Sequence, residues 1–280
     1  MSDPLQDRSP PTEEQPRRRR FKVGTNKLRS LSFNRIFPNM ITLLALCAGM
    51  TAIRYGFNGQ WDRAALAIVI AGMLDGVDGR IARLLKGTSK FGAELDSLAD
   101  AISFGVAPAL VMYAWAMNQA PNGLGWAICL LHAVCTVLRL ARFNTMVGHD
   151  LPQWAHNYFT GVPSPGGAGI AILPLVFWLL TDERIFQHWA VAGIFLVSSA
   201  ILMVSRVPVY SGKHIRLKPH LALPLMVFVG VFAGLLVTEP WATLSFVGLA
   251  YIALIPMSAL SYRRLQKEER AAVQPDAPPP

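Results

Sequence analysis

Four aspartates stand out in this 280-residue chain because their spacing forms two pairs of carboxylates. Asp75 and Asp78 are three residues apart, and Asp96 and Asp100 are four apart, so each pair shares one face of a helix. Both pairs lie in or beside apolar segments, where a carboxylate costs about 2.5–3.5 kcal/mol on insertion scales and usually has a function. Two antiparallel helices joined by the short intervening loop would bring the pairs face to face.

Such a cluster is expected to bind cations. Four carboxylates in a small volume repel one another unless a cation neutralises them. Oxygen ligands without His or Cys favour Mg²⁺, Mn²⁺ or Ca²⁺ over zinc. Four negative charges match two divalent ions roughly 3.5–4 Å apart, the arrangement that holds the attacking and leaving oxygens in phosphoryl displacement. The spacing therefore predicts a di-metal site that acts on a phosphorylated substrate.

Small residues and an arginine lie between the two pairs. Gly76, Gly79 and Ala82 place a small side chain at every third position, so that a ligand or another helix can approach the backbone. Arg83 lies one turn beyond Gly79, where its guanidinium would form a fork with a phosphate. Gly92 precedes the second pair by one helical turn and also admits a ligand. These residues fit a phosphorylated substrate.

The composition indicates a membrane protein rather than a soluble globule. Hydrophobic residues make up 52% of the chain, charged residues make up 15%, and the mean hydropathy is +0.36. The charges are bunched between long apolar runs, as in polytopic membrane proteins. The net charge of +9 fits a positive cytoplasmic surface better than a nucleic-acid partner. The three cysteines lie in apolar runs without metal-ligand spacing, so no disulfide framework is expected.

Eight apolar segments approach or reach the roughly 17–25 residues that a membrane-spanning helix requires. The sequence therefore predicts an all-α polytopic membrane protein with about eight transmembrane helices. The segments lie near residues 37–55, 63–84, 96–117, 124–144, 164–180, 188–207, 221–237 and 241–261.

Lys and Arg are distributed unevenly between the two sides that this topology defines. If the N-terminus is cytoplasmic, 23 of the 26 Lys and Arg residues lie on the cytoplasmic face. Only Arg54, Arg63 and Arg184 lie on the other face. The positive-inside rule then places both termini, and all four aspartates, on the cytoplasmic side.

The chain divides into one membrane domain and two tails. Residues 1–36 are expected to form a basic tail against anionic lipid headgroups. Its first 20 residues are rich in Pro, Glu, Gln and Arg and are expected to be disordered, and residues 21–36 alternate basic with apolar side chains, which allows a short interfacial helix. Residues 37–262 form the membrane domain. Residues 263–280 are charged and then proline-rich, and we expect a second disordered tail there.

The residues that carry the chemistry resemble the signature of the CDP-alcohol phosphotransferases. The pattern Asp-x2-Asp-Gly-x2-Ala-Arg-x8-Gly-x3-Asp-x3-Asp specifies eight positions at fixed offsets. The resemblance implies a helical membrane enzyme, usually a homodimer, that transfers a substituted phosphate from a CDP-linked donor to an alcohol and releases CMP. In this chain the pattern is met by Asp75, Asp78, Gly79, Ala82, Arg83, Gly92, Asp96 and Asp100.

The resemblance also implies roles for individual residues. The four aspartates would hold the divalent ions, Mg²⁺ or Mn²⁺. Asp96 and Asp100 would be catalytic, with Asp100 accepting the proton of the attacking hydroxyl. Asn39 and Thr42 would contact the nucleotide. A cap at the start of the helix explains Asn39 equally well, and a packing contact explains Thr42 equally well. The nucleotide and its diphosphate would lie along Asn39, Thr42, Gly79, Ala82, Arg83 and Gly92.

Three further stretches resemble the phosphatidylserine synthase branch of this family. They are SFGVAPAL at 103–110, RLARFN at 139–144 and GVPSP at 161–165. The whole resemblance runs from about residue 37 to 218, and the last two apolar segments carry little of it. It implies CDP-diacylglycerol and L-serine as substrates and a bacterial-type inner membrane as the location.

A serine site needs at least one fixed cation, because serine carries a carboxylate as well as an ammonium group. Arg139 and Arg142 share a face at the cytoplasmic end of the fourth span, at the depth of the aspartates. We expect one or both to bind the serine carboxylate, with the 161–165 loop and its Ser164 closing over it. Snorkelling to the interface, or binding of lipid phosphate, is the alternative.

Two other functions stay open at this point. The same chemistry with glycerol 3-phosphate, inositol phosphate or choline would use the same aspartates. A divalent cation transporter would also gather carboxylates within a membrane, but it has no evident use for Arg83.

Overall fold

The computed structural model describes residues 33–85, 89–146, 158–210 and 222–273, and most of these residues are helical. Two short strands, β1 (Tyr158–Thr160) and β2 (Pro208–Tyr210), pair in antiparallel register. In chain order the helices are α1 (Phe33–Phe57), α2 (Trp61–Leu84), α3 (Lys90–Asp100), α4 (Ala107–Trp115), α5 (Leu124–Met146), α6 (Ser164–Thr181), α7 (Trp189–Val204), α8 (Ala222–Thr238) and α9 (Pro240–Val273).

Helices lie at each of the eight segments that the sequence predicts to cross the membrane. A π-helical segment, Ala101–Val106, joins α3 to α4 in one continuous rod. Within the described residues, five helices are long and apolar enough to span a membrane, whereas α7 is apolar but shorter and α2 carries charged residues near both ends. The chain is therefore an all-α polytopic membrane protein. The five are Ile36–Phe57, Lys90–Trp115, Pro121–Thr145, Ser164–Thr181 and Pro240–Tyr262.

Three helix boundaries differ from the expected ones. α1 already begins at Phe33, inside the expected tail of residues 1–36, and residues 1–32 lie outside the described residues. α3 begins at Lys90 rather than near 96, because the side chain of Ser89 caps it by accepting a hydrogen bond from the Gly92 amide at 3.0 Å. α9 continues to Val273, although a disordered tail is expected from residue 263. The sequence RRLQKEERAAV at 263–273 consists mostly of strong helix formers, which explains the extension.

Small residues allow the helices of the core to approach closely. Ala52 on α1 and Ala64 and Ala71 on α2 are fully buried where these two helices pack along each other. Larger side chains, including Phe104 and Trp115, fill the space among α1, α2, α4, α6 and α7. Close backbone approach between small residues is a common source of packing energy in membrane helices.

One such contact fixes the π-helical segment that follows Asp100. A methyl group added at Gly49 of α1 would lie 2.8 Å from the Cα atom and 2.6 Å from the hydroxyl oxygen of Ser103. The Ser103 hydroxyl donates a hydrogen bond to the carbonyl oxygen of Ala45 at 3.3 Å. Gly49 therefore lets α1 pack directly against the π-helical segment that follows Asp100.

We expect Gly49→Ala to destabilise the protein by roughly 1–3 kcal/mol, because the added methyl meets the Ser103 backbone and α1 must shift. Thermal unfolding in detergent measures this effect. Gly234→Ala on α8 is the matched control, because a methyl there meets no described atom within 4 Å. Equal melting temperatures for the two variants would contradict the packing assignment.

A glycine also joins the loop before α6 to the end of α7. Gly161 has φ +83°, and a side chain there would lie 2.7 Å from the carbonyl oxygen of Met203 and 2.8 Å from that of Ser205. The Gly161 amide donates to the carbonyl oxygen of Val207 at 2.8 Å. Together with the β1–β2 pair, these contacts fix the position from which α6 begins.

Candidate active site

Three aspartates meet where the end of α2 faces α3. Asp75, Asp78 and Asp96 each place a carboxylate oxygen within 4.8 Å of the others. Asp78 is only 3% exposed, and the other two are half-buried. Residues 86–88 lie outside the described residues, but the two helices place the pairs face to face as their spacing predicts.

The fourth aspartate completes the cluster. Asp100 lies one turn beyond Asp96 on α3, and its carboxyl group is close enough to Asp75 on α2 for the two to interact electrostatically. Neighbouring carboxylates repel each other unless a proton or a cation lies between them. An all-oxygen donor set of four partly buried carboxylates suits Mg²⁺ or Mn²⁺, so the residues present fit the metal that their sequence pattern implies.

Helix α1 supports this cluster from the side. The hydroxyl of Thr42, which is buried, donates a hydrogen bond to Oδ2 of Asp78 at 2.7 Å. The Asn39 side chain lies beside the first turn of α3, where its Oδ1 atom is 2.9 Å from the position of a Cβ atom on Gly92. Thr42 thus orients one carboxylate of the cluster, and Gly92 makes room for Asn39.

Thr42→Val is expected to weaken divalent metal binding by roughly 10-fold, because Asp78 loses a charge-assisted hydrogen bond that orients a ligand. Titration with Mn²⁺ measures the affinity. Thr51→Val on the same helix is the matched control, because the Thr51 hydroxyl donates to the Cys47 carbonyl of its own helix. Equal Mn²⁺ affinities in the two variants would refute the orienting role of Thr42.

The small residues between the aspartate pairs border open space. Methyl groups added at Gly76 or Gly79 would meet no described atom within 4 Å. Arg83, one turn further along α2, is exposed, and Ala82 is half-buried. This face of α2 is therefore accessible beside the carboxylates, as a site for a phosphorylated ligand requires.

The π-helical segment Ala101–Val106 directly follows Asp100 and packs against α5. The Nε2 atom of His132, a fully buried side chain on α5, lies 3.2 Å from the carbonyl oxygen of Phe104 and donates to it. Gly105 lies against Thr136, because a Cβ atom added to Gly105 would lie 3.2 Å from the Thr136 Cβ atom. Segments of this kind are frequent at functional sites, because the wider turn re-aims side chains. The sequence offers no signal for the π-helix beyond the small residues Ser103 and Gly105.

The two arginines of α5 have different environments. Arg139 is 9% exposed, donates from Nη1 to the hydroxyl oxygen of Ser164 at 2.7 Å, and lies close enough to Asp75 and Asp100 to interact with their charges. Arg142 instead donates to backbone carbonyls of β1 and of the end of α7. Its acceptors are Thr160 at 3.1 Å, Met203 at 3.4 Å, Val204 at 2.7 Å and Ser205 at 3.2 Å.

Two polar residues near the site were not singled out from the sequence. The Asn144 amide, at the end of the RLARFN stretch, donates to the hydroxyl of Ser97 at 3.0 Å and so links α5 to α3. The Tyr251 ring on α9 lies against Gly166, in the first turn of α6. Asn144 belongs to a stretch that the resemblance marks, whereas Tyr251 lies in the apolar part of α9 and belongs to no motif.

Family models match this chain in two places. The CDP-alcohol phosphatidyltransferase model matches residues 35–205, and a second model, CDP-alcohol phosphatidyltransferase 2, matches residues 220–256. The second match corrects the expectation that the last two apolar segments carry little of the resemblance. α8 and most of the apolar part of α9 lie within it.

The proteins that are similar to this chain carry the same name or a closely related one. The chain is 37% identical to the CDP-diacylglycerol–serine O-phosphatidyltransferase of Mycobacterium tuberculosis, over 82% of this chain and 80% of that protein. It is 35% identical to the Helicobacter pylori protein of the same name, over 78% and 88% of the two chains. It is also 29% identical to the archaetidylserine synthase of Methanothermobacter thermautotrophicus, over 61% and 67%.

Proposed function

The chain belongs to the CDP-alcohol phosphatidyltransferase family, and we propose that it makes phosphatidylserine and CMP from CDP-diacylglycerol and L-serine. The observation that carries this proposal is the cluster of Asp75, Asp78 and Asp96 with Asp100 beside it, which has an accessible glycine face on one side and the buried Arg139 on the other. The names of the relatives support serine as the acceptor.

We assign two divalent ions, Mg²⁺ or Mn²⁺, to Asp75, Asp78, Asp96 and Asp100. Four negative charges balance two divalent cations, and Thr42 holds one of the carboxylates in place. When bound, the ions would neutralise the diphosphate and stabilise the charge that develops on the leaving CMP.

The donor is placed along the open face of α2. The phosphates and the cytidine would lie beside Gly79, Ala82 and Arg83, because no described atom fills the space next to Gly76 and Gly79. Arg83 would form a fork with a phosphate oxygen pair. Asn39, Thr42 and Gly92 would border the nucleotide from the side of α1 and the start of α3.

Asp100 is the residue that we assign as general base, with Asp96 beside it. Asp100 lies at the end of α3, where the π-helical segment and its contacts to α1 and α5 restrict its position. A carboxylate held beside the reacting phosphorus accepts the proton of the serine hydroxyl as the oxygen attacks. Direct attack requires no covalent enzyme intermediate.

Arg139 is the arginine that we assign to the serine carboxylate. Its guanidinium is buried next to Asp75 and Asp100, and Ser164 orients it. Arg142 is assigned a positioning role, since its guanidinium binds the carbonyl oxygens of Thr160 and Ser205, which adjoin Gly161. The sequence predicts that one or both arginines bind the serine carboxylate, and this proposal assigns that role to Arg139 alone.

The finer topology is also part of the proposal. We propose eight membrane spans, with α2, α7 and α8 added to the five that satisfy length and composition, and both termini in the cytoplasm. The active site then faces the cytoplasm at a bacterial-type inner membrane. We further propose a homodimer and a single catalytic domain over residues 37–262, flanked by a basic N-terminal tail.

A panel of acceptor alcohols tests the proposed function. Purified protein in detergent or vesicles is supplied with CDP-diacylglycerol, Mg²⁺ or Mn²⁺, and in turn serine, glycerol 3-phosphate, inositol phosphate or choline. We expect CMP release when serine is the acceptor and none with the other three alcohols. Consumption of glycerol 3-phosphate with inert serine would overturn the serine assignment, and divalent cation flux without CMP release would favour a transporter.

A further inference from the structure

Tyr251 is a half-buried residue for which neither the family pattern nor the fold provides a role. Its hydroxyl oxygen is buried and has no hydrogen-bond partner among the described residues. A buried hydroxyl without a partner costs about 1–3 kcal/mol, so such a group usually meets a ligand or an ordered water. Leu249 and Leu254 of the same helix are exposed, whereas Tyr251 points inward.

The Tyr251 ring lies against the first turn of α6. A methyl group added at Gly166 would lie 2.6 Å from the Tyr251 hydroxyl oxygen and 2.9 Å from its Cζ atom. Gly166 lies two residues after Ser164, and Ser164 accepts the hydrogen bond from Arg139. Arg139 and Tyr251 also interact electrostatically, so the two side chains approach the same end of α6 from α5 and α9.

Hydrogen-bond donors converge at this place. The Nε atom of Arg139 is buried without a partner among the described residues, although Nη1 is satisfied by Ser164. Among the described residues no side chain caps the N-terminus of α6, so the amides of Ser164 and Gly166 and the positive end of the helix dipole lie uncapped at this end of the helix, while Pro165 between them has no N–H. A guanidinium edge, a hydroxyl and a helix N-terminus together suit an anion.

We propose that Tyr251, together with Arg139 and the first turn of α6, binds the carboxylate of the acceptor and makes the enzyme select a zwitterionic amino alcohol. This inference rests on the proposed function and deepens it. An acceptor without a carboxylate leaves the guanidinium and the hydroxyl unpaired in a buried site, and sites of this kind reject such analogues strongly. A phosphate of the lipid donor offers similar chemistry, so the experiment measures both substrates.

Tyr251→Phe is the first test. The serine KM is expected to rise roughly 10- to 100-fold through loss of one hydrogen bond to a charged group, with the CDP-diacylglycerol KM unchanged. The ratio of kcat/KM for serine to that for ethanolamine, which lacks the carboxylate, should fall by a similar factor. The melting temperature should not fall, because the hydroxyl has no described partner in the protein.

Tyr113→Phe is the matched control. It also removes a tyrosine hydroxyl, but on α4. Tyr113 follows Asp100 by 13 residues in the same continuous helix, which corresponds to about 20 Å at 1.5 Å per residue. The Tyr113 ring packs edge-on against Trp126, with centroids 5.2 Å apart. Both kinetic constants should stay at wild-type values in this variant.

Gly166→Ala is a second, independent variant. The added methyl must displace the Tyr251 hydroxyl, so the serine KM should rise again although the tyrosine is intact. An unchanged serine-to-ethanolamine ratio in Tyr251→Phe, or a rise in the CDP-diacylglycerol KM instead, would overturn the inference. Wild-type protein that is inactive with serine would contradict the proposed function itself, which separates the two failures.

Discussion

Asp100→Asn is expected to lower turnover by about 10²- to 10⁴-fold, the usual contribution of a positioned general base. Asparagine has the same shape but cannot accept the proton of the serine hydroxyl. Binding of CDP in the presence of divalent metal should be largely preserved, since Asp75, Asp78 and Asp96 still provide three carboxylates within 4.8 Å of one another. Steady-state CMP release and CDP binding measure the two effects.

Glu94→Gln is the matched control for this substitution. Glu94 is an exposed carboxylate on the same helix, α3, and lies outside the group of carboxylates that approach one another. Its replacement should leave turnover at the wild-type rate. Normal turnover in Asp100→Asn would remove Asp100 from the reaction, and equal loss of CDP binding and turnover would make it a metal ligand without a role as base.

Removal of divalent cations is expected to abolish CMP release. Without them, the aspartate cluster and the diphosphate of the donor would repel each other across a partly buried site. Treatment with EDTA followed by addition of Mg²⁺ or Mn²⁺ should abolish and then restore the activity. Titration with Mn²⁺ should show two ions per chain in the wild type.

Monovalent salt at matched ionic strength is the control for this treatment. It screens exposed charges but cannot bridge carboxylates to a diphosphate. Sustained turnover in excess chelator, or full restoration by monovalent salt alone, would rule out the metal assignment.

The sequence predicts the helices and the aspartate cluster well, for physical reasons. Long apolar runs leave few alternatives to a membrane helix, because backbone groups must be satisfied inside the segment. The i+3 and i+4 spacings place Asp75 with Asp78, and Asp96 with Asp100, regardless of how the rest of the chain packs. The antiparallel arrangement of α2 and α3 then follows from the short connection between them.

Other features depend on contacts between distant segments, and the sequence does not predict them. The four carbonyl acceptors of Arg142 lie in β1 and at the end of α7, far from it in sequence, so its contacts emerge only from the packed structure. The π-helical segment at Ala101–Val106 likewise depends on its contacts with α1 and α5. Tyr251 reaches the site only because α9 packs against α6.

The measurement that tests the central claim most directly is the stoichiometry of products from purified protein in vesicles. With CDP-diacylglycerol, L-serine and Mg²⁺ or Mn²⁺ all present, we predict equimolar CMP and phosphatidylserine, and neither product when any one of the three is omitted. A folded protein that binds divalent metal at the aspartates yet forms no CMP with any alcohol would contradict the account.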